Sequence, residues 1–261
     1  MYFNNKVILI VGASTGIGRA VALKLAAAGA KLIITARSQD KLDSLENEIL
    51  NNGGQCLAIA ADALIEQEAA AVVRAGVERF GRIDIALLNV GGAPALDMRS
   101  MTAAEVNHYM RTNYDVTVNY LFPVLEHMKQ QNAGLVAHTN SLAGFLGVPL
   151  QGPYSAAKSA TRILIDTCRL EFAEFGIKFA NIYPGFVATE TSRNQGLKTP
   201  NEIPIQQAAE HIIYALRKEK ANYLFPLKMR WLIRLALLLP QPVLNWFLKR
   251  YVPPCSPKDI H

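Results

Sequence analysis

The sequence predicts an α/β protein: a single doubly wound, three-layer domain on a parallel sheet of about seven strands, followed by a helical C-terminal extension. Three observations carry this. Short β-branched runs alternate with longer helical stretches from Lys6 to Pro226, the pattern of repeated βαβ units. Several runs, KVILIV above all, are apolar almost throughout, as in strands buried on both faces. A glycine-rich turn joins the first run to the first helical stretch. Right-handed crossovers then place helices on both faces of the sheet.

Each element has its own signal. Lys6–Val11 is the first strand, and Arg19–Ala28, rich in Ala and Leu, is a helix closed by Gly29. Lys31–Thr35 is the second strand; Asp40–Asn51 is a polar amphipathic helix followed by Gly53-Gly54. Gln55–Ala60 is the third strand, and Ile65–Phe80 is a helix ended by Gly81. Ile83–Leu88 is the fourth strand. Thr102–Gln131 predicts one long helix interrupted near Pro123, because proline lacks the amide donor and clashes with the preceding turn. Leu135–Thr139 is the fifth strand, Ser155–Phe175 another long helix, and Lys178–Ile182 the sixth strand. After a polar loop at Glu190–Pro204 come a helix at Gln206–Arg217 and a seventh strand at Tyr223–Pro226. No linker or internal repeat divides the chain. Residues 1–227 therefore form one domain, and residues 228–261 an extension packed on it or on a membrane surface.

Composition excludes several classes. Of 261 residues, 51% are hydrophobic and 18% charged, which rules out a disordered chain. The 17 glycines and 13 prolines show no period, which rules out collagen-like and low-complexity readings. The three cysteines, Cys56, Cys168 and Cys255, are far apart and form no CxxC or Cys/His spacing. Neither a disulfide framework nor a zinc site is expected, and His108, His127 and His138 have no ligand spacing. The apolar run after Lys6 ends in Gly12 rather than in a cleavage site, so no signal peptide is expected. A reducing compartment follows: the cytoplasm, or the cytosolic face of a membrane. The net charge of +6 lies wholly in the tail, where seven bases from Lys220 onward face one acid, Asp259. A nucleic-acid protein spreads bases over a groove or recognition helix, so no nucleic-acid partner is expected.

Three groups of residues carry chemistry. In Val11-Gly12-Ala13-Ser14-Thr15-Gly16-Ile17-Gly18, Gly12 permits a tight turn, and Gly16 and Gly18 let backbone approach a pyrophosphate. The helix that follows offers unpaired N–H groups and the positive end of its dipole. The strand–turn–helix context favours dinucleotide binding over a plain structural turn. Arg37 follows the second strand, where an NAD site usually presents an acid to the ribose 2′-hydroxyl. The nearest acid, Asp40, lies in the next helix. A guanidinium suits a 2′-phosphate, so NADP(H) is favoured over NAD(H); the alternative is a solvated loop arginine. Finally, Tyr154 and Lys158 stand four apart and so share one helix face. A nearby ammonium favours phenolate and lowers the tyrosine pKa, making a general acid/base. By itself this spacing also fits an ordinary surface pair.

Ser141 precedes Tyr154 by thirteen residues, and Asn113 lies in the long helix before it. With the glycine loop, this set resembles the short-chain dehydrogenase/reductase family, whose fold is of the Rossmann type. The resemblance runs from about Lys6 to Thr191. It matches Asn113, Ser141, Tyr154 and Lys158 to the catalytic tetrad. It implies a cofactor site made by Gly12, Ser14, Thr15, Gly16, Ile17, Gly18, Arg37, Asp62, Asn89, Gly91, Tyr154, Lys158, Pro184, Gly185, Val187 and Thr189. Two motifs depart from the family pattern: Val11 replaces the usual Thr of TGxxxGIG, and Asn89-Val90-Gly91-Gly92 stands in place of NNAG. The implied reaction interconverts a ketone and a secondary alcohol. Tyr154 moves the proton, Lys158 binds the nicotinamide ribose and lowers the Tyr154 pKa, Ser141 bonds the substrate oxygen, and Asn113 supports a proton-relaying water. The family also implies a homodimer or homotetramer through the two long helices.

The tail is unusual. Residues 228–251 read KMRWLIRLALLLPQPVLNWFLKRY. The Leu235–Leu239 run is far below the ~20 apolar residues a spanning helix needs. Two short amphipathic helices with aromatics and bases fit an interfacial membrane contact; a pocket cover or a subunit contact are the alternatives. A hydrophobic carbonyl substrate, a 3-keto lipid or steroid-like ketone, suits such a tail. The competing functions are reduction of a small polar carbonyl and non-catalytic NADPH sensing.

Overall fold

The structure is a computed structural model, and it describes residues 2–188 and 202–252. In chain order the elements are β1 Val7–Val11, α1 Gly16–Ala27, β2 Lys31–Ala36, α2 Gln39–Asn51, β3 Gln55–Ala60 and α3 Glu66–Phe80. There follow β4 Ile85–Leu88, α4 Ala103–Arg111, α5 Asp115–Gln131, β5 Gly134–Thr139, α6 Gly152–Glu171 and β6 Ile177–Pro184. The chain continues with α7 Ile205–Arg217, β7 Asn222–Phe225, α8 Leu227–Leu238 and α9 Gln241–Leu248. The strands form one seven-stranded sheet in the order β3-β2-β1-β4-β5-β6-β7. Every pairing is parallel, so the predicted doubly wound Rossmann-type α/β fold is the one observed.

Strand alternation divides the core into two layers. On one face Ile8, Ile10, Leu32 and Ile34 pack with Val21 and Leu25 of α1 and Ile212 of α7. On the other, Leu9, Ile33 and Val136 pack with Val72 of α3, Leu121 of α5 and Ile165 of α6. The central strands are covered on both sides, which explains their continuous apolar sequences. Because all strands run the same way, their C-terminal ends share one edge. The order reverses between β1 and β4, and such a reversal opens a crevice at that edge.

Several boundaries differ from expectation. The long helix over Thr102–Gln131 is two helices, broken at 112–114 rather than at Pro123. Pro123 sits inside α5, where Tyr120, Leu121, Val124 and Leu125 anchor the helix around it. The break has a polar cause: Asn113 is buried there and bonds both the loop after β4 and the end of α4. Helix α1 begins within the glycine loop, three residues before Arg19. Helix α6 begins at Gly152 and so includes Tyr154. Strand β6 extends to Pro184, so it carries the Tyr183-Pro184 step into the sheet.

Gly18 sets how closely α1 approaches the β1 turn. A Cβ there would lie 2.0 Å from the Gly12 carbonyl oxygen, and backbone cannot yield as a side-chain tip can. Gly18→Ala is expected to cost on the order of 2 kcal/mol through overpacking. For a chain of this size that lowers Tm by about 4–8 °C, as read by thermal unfolding followed by circular dichroism.

Candidate active site

The glycine loop lies at the C-terminal end of β1. Gly12 has φ +78°, and its N–H, with that of Ala13, bonds the Thr35 carbonyl of β2 at 2.8 and 3.1 Å. A Cβ on Gly12 would meet the Asn89 carbonyl oxygen at 2.5 Å. The Asn89 amide closes the same junction by donating to the Gly12 carbonyl at 3.4 Å. Thr15 precedes α1 in extended conformation, without a side-chain cap bond. The first turn of α1 contains no acid. The helix start therefore keeps free donors and a positive dipole for an anion. Ser14 and Ile17 flank this opening, half-buried. Gly16 holds φ +54° at the entry to α1. Arg37 is exposed just beyond β2.

The proton-handling residues meet at the ends of β5 and α6. Ser141 follows β5 and caps a short 3-10 turn, its Oγ accepting from the Ala143 N–H at 3.1 Å. Tyr154 hydrogen-bonds Ser141 through its side chain. One turn on, Lys158 Nζ stands 5.8 Å from the Tyr154 ring centroid and donates to the Thr139 carbonyl at 3.0 Å. Lys158 is only 3% exposed. Among the described residues no second acceptor meets its ammonium. Asn113 Oδ1 accepts from the Gly92 N–H at 3.0 Å, and its Nδ2 donates to the Tyr109 carbonyl at 3.1 Å. Gly91 has φ +135°; a Cβ there would come within 2.6 Å of Asn113 Oδ1 and 3.4 Å of Lys158 Nζ.

Burial governs the titrations. It raises the Tyr154 pKa, with the Ser141 hydrogen bond pulling the other way. The net direction is upward, because desolvation penalises phenolate more than the Ser141 hydrogen bond favours it. Burial also depresses Lys158 to about 8. His138, on β5 behind Lys158, is fully buried and held neutral by desolvation and by the Lys158 charge.

The other predicted residues fall along the same edge. Pro184 ends β6, and the Gly185 N–H bonds the Phe225 carbonyl at 2.8 Å. Val187 is buried and bridges to Ile203. Thr189 and positions 190–201 of the expected substrate loop lie outside the described residues. Asp62 is turned inward in part: its Oδ1 accepts from the Leu64 N–H at 3.0 Å, so it shapes the turn into α3.

One residue escaped the sequence reading. Asn140, 2% exposed, joins the two halves of the site. Its Oδ1 accepts from the Ser141 N–H at 2.8 Å, and its Nδ2 donates to the Lys158 carbonyl at 3.1 Å. The available signal was weak: an amide immediately before Ser141 at a strand end.

The sequence model described as "short chain dehydrogenase" matches residues 6–199. Levodione reductase of Leifsonia aquatica is 34% identical over 213 residues, covering 80% of each chain. A 3-oxoacyl-[acyl-carrier-protein] reductase of Synechocystis sp. is 32% identical over 190 residues, 72% of this chain and 77% of that protein. A crystal structure of levodione reductase superposes with a TM-score of 0.78 at 29% identity, covering 86% of this chain and 96% of the other. Helices α8 and α9 lie beyond the family match.

The Lys158 pKa implies a stability test. Its folded value, about 8, lies below the ordinary 10.5, so burying the ammonium costs on the order of 3 kcal/mol at neutral pH. Lys158→Met is expected to raise Tm at pH 7, because it removes that cost while keeping volume. The folded state releases the proton first, so the native chain recovers stability as pH climbs from about 8 toward 10.5. The Met advantage, read by calorimetry across pH, should therefore shrink over that window.

Proposed function

The chain belongs to the short-chain dehydrogenase family, oxidoreductases acting on carbonyl and alcohol groups, and from that premise we propose that it is an NADP(H)-dependent reductase of a lipophilic ketone. The single observation that carries the reaction is the Ser141–Tyr154–Lys158 grouping on the same sheet edge as the glycine loop. The residues fit a nicotinamide dinucleotide. Gly12 and Gly18 keep the β1 turn and the start of α1 in close backbone contact, α1 offers an anion site, and Lys158 keeps unused donors. Gly12, Ser14, Thr15, Gly16, Ile17 and Gly18 would hold the pyrophosphate; Asn89, Gly91, Pro184, Gly185 and Val187 would flank the nicotinamide half; Asp62 would meet the adenine. When bound, such a cofactor supplies the hydride for a carbonyl carbon.

The chain's own residues handle the proton. Tyr154 is a phenol at neutral pH, and burial raises its pKa further, so it carries the proton for donation to a developing alkoxide. The Ser141 hydroxyl orients the substrate oxygen and, with the Lys158 ammonium, stabilises the phenolate that donation leaves. Asn113 holds the Gly91-Gly92 backbone against the helix break, so the loop cannot drift from Lys158. Arg37, exposed at the end of β2 without an acid beside it, supports the choice of NADP(H). The substrate class is supported by the apolar cluster next to Ser141, which joins Leu142, Phe145, Leu146, Tyr183, Met229 and Ile233. Assembly through α5 and α6 is supported by exposed Phe122, Ile163 and Leu170 on those helices.

NADPH oxidation across ketones of increasing chain length tests the reading. Turnover should rise with length and fall at least ~10³-fold in Tyr154→Phe, while NADPH binding survives. Turnover restricted to small polar ketones would sink the lipophilic assignment, and binding without any turnover would favour a sensor. Arg37→Glu should raise the NADPH dissociation constant tenfold or more and leave NADH nearly unchanged, because only the 2′-phosphate meets the new charge. Equal effects on both cofactors, in a fluorescence titration, would refute the role given to Arg37.

A further inference from the structure

Helices α8 and α9 are poorly covered by the rest of the protein. Helix α8 buries only Met229 and Ile233, which pack against Leu142 and Tyr183. Helix α9 buries only Leu244. Trp231, Leu232, Leu235 and Leu238 of α8, and Trp246 and Phe247 of α9, remain exposed. The degree of exposure is large: 58% for Trp231, 81% for Leu238 and 57% for Trp246. Large apolar side chains exposed in this number mark an interaction surface.

Charge identifies the occupant. The same two helices and the turn after them carry Lys228, Arg230, Arg234, Lys249 and Arg250, and no acid occurs from Lys220 to Val252. Among the described residues, none of these bases is in an ion pair with a carboxylate. They cluster instead on the aromatics: Arg234 lies 5.5 Å from the Trp231 ring centroid, and Arg250 lies 4.2 Å from that of Trp246. A second copy meeting this face would bring its own bases against these. An anionic bilayer offers both an apolar layer and opposite charge. No helix among the described residues is long and apolar enough to cross a membrane, and Pro240 separates α8 from α9. Each helix can therefore only lie along the interface.

Position gives the contact a purpose. Helix α8 leaves β7 at the sheet edge that holds Ser141 and Gly185; a Cβ on Gly185 would lie 3.5 Å from Met229 Cγ. Beside α9, a cleft of about 290 Å³ is lined by Val148, Pro149, Leu248, Lys249 and Val252. The loop carrying Val148 and Pro149 leads directly into α6 and Tyr154.

We propose that the α8–α9 face docks on the surface of an anionic phospholipid bilayer, with the candidate active-site edge beside the membrane. The contact itself does not depend on the enzymatic reading; its consequence, delivery of a lipophilic ketone from the bilayer, rests on that reading. The test is co-sedimentation of the full chain with vesicles of phosphatidylcholine alone or with about a third phosphatidylglycerol, at low salt and at ~0.5 M salt. Binding to the anionic vesicles should exceed that to the neutral ones by about tenfold or more at low salt, and should fall by a similar factor at high salt. The doubles Trp231→Ala with Trp246→Ala and Arg234→Glu with Arg250→Glu change only side chains at the surface, and each should lose about tenfold. No sedimentation at low salt, equal binding to both vesicle types, or retention by both double variants would overturn the proposal. So would absence of vesicle binding together with a dimer, seen by analytical ultracentrifugation, that the Trp double variant dissociates. NADPH oxidation across the same ketone series, run without vesicles, separates the two readings. Docking without turnover of any ketone in the series leaves the surface standing and overturns the reductase reading; turnover without docking leaves that reading standing and overturns the surface.

Discussion

The Lys158 ammonium is buried at 3% exposure with one described acceptor, the Thr139 carbonyl at 3.0 Å. Most of the candidate site can be understood as the means of holding it there. An ammonium in such a place is costly, so the backbone around it has to be fixed from several directions. Asn140 ties the Lys158 carbonyl to the Ser141 amide. Gly91 brings the loop after β4 close enough that any side chain would collide. Asn113 breaks a helix to secure that loop. His138 stays neutral behind Lys158, so no second charge competes. In the proposed reaction the unused donors of that ammonium are what a cofactor would satisfy. The strain of burial would then become binding and proton affinity at the reacting edge.

The parallel sheet makes this arrangement possible. Seven strands with one direction put Gly12, Asn89, Ser141 and Gly185 at ends that share an edge, although they lie far apart in sequence. The order reverses between β1 and β4, so the glycine loop and Asn89 sit at the crevice. Both faces of the sheet are covered by helices, so the edge is where backbone ends remain open to a ligand. The tail starts at that same edge because β7 ends there, which is why α8 packs against the apolar surroundings of Ser141 while its outer side stays uncovered.

Much of the fold was legible because its signals are local and dense. A strand buried on both faces must be apolar throughout, and KVILIV could be little else; Gly29 and Gly81 end helices for reasons internal to one turn. The errors came where packing overruled a local rule. Pro123 looked like a helix breaker, but four buried neighbours hold α5 together around it. The real break surrounds Asn113, whose partners lie on the loop after β4 and at the end of α4.

For the candidate site, sequence alone supplied the glycine loop, the Tyr154–Lys158 spacing, and the Ser141 and Asn113 positions, because each is a residue type at a set distance along the chain. It also supplied the amphipathic, acid-free character of residues 228–251. It could not supply how those residues meet. That Asn140 links Ser141 to Lys158, that Asp62 spends an oxygen on its own turn, and that Tyr154 titrates upward rather than downward were decided by the tertiary structure. The physical reason is the same in each case. Hydrogen-bond partners and desolvation depend on which strands and helices become neighbours, and residues distant in sequence are the ones that set the dielectric and the donors around a charge.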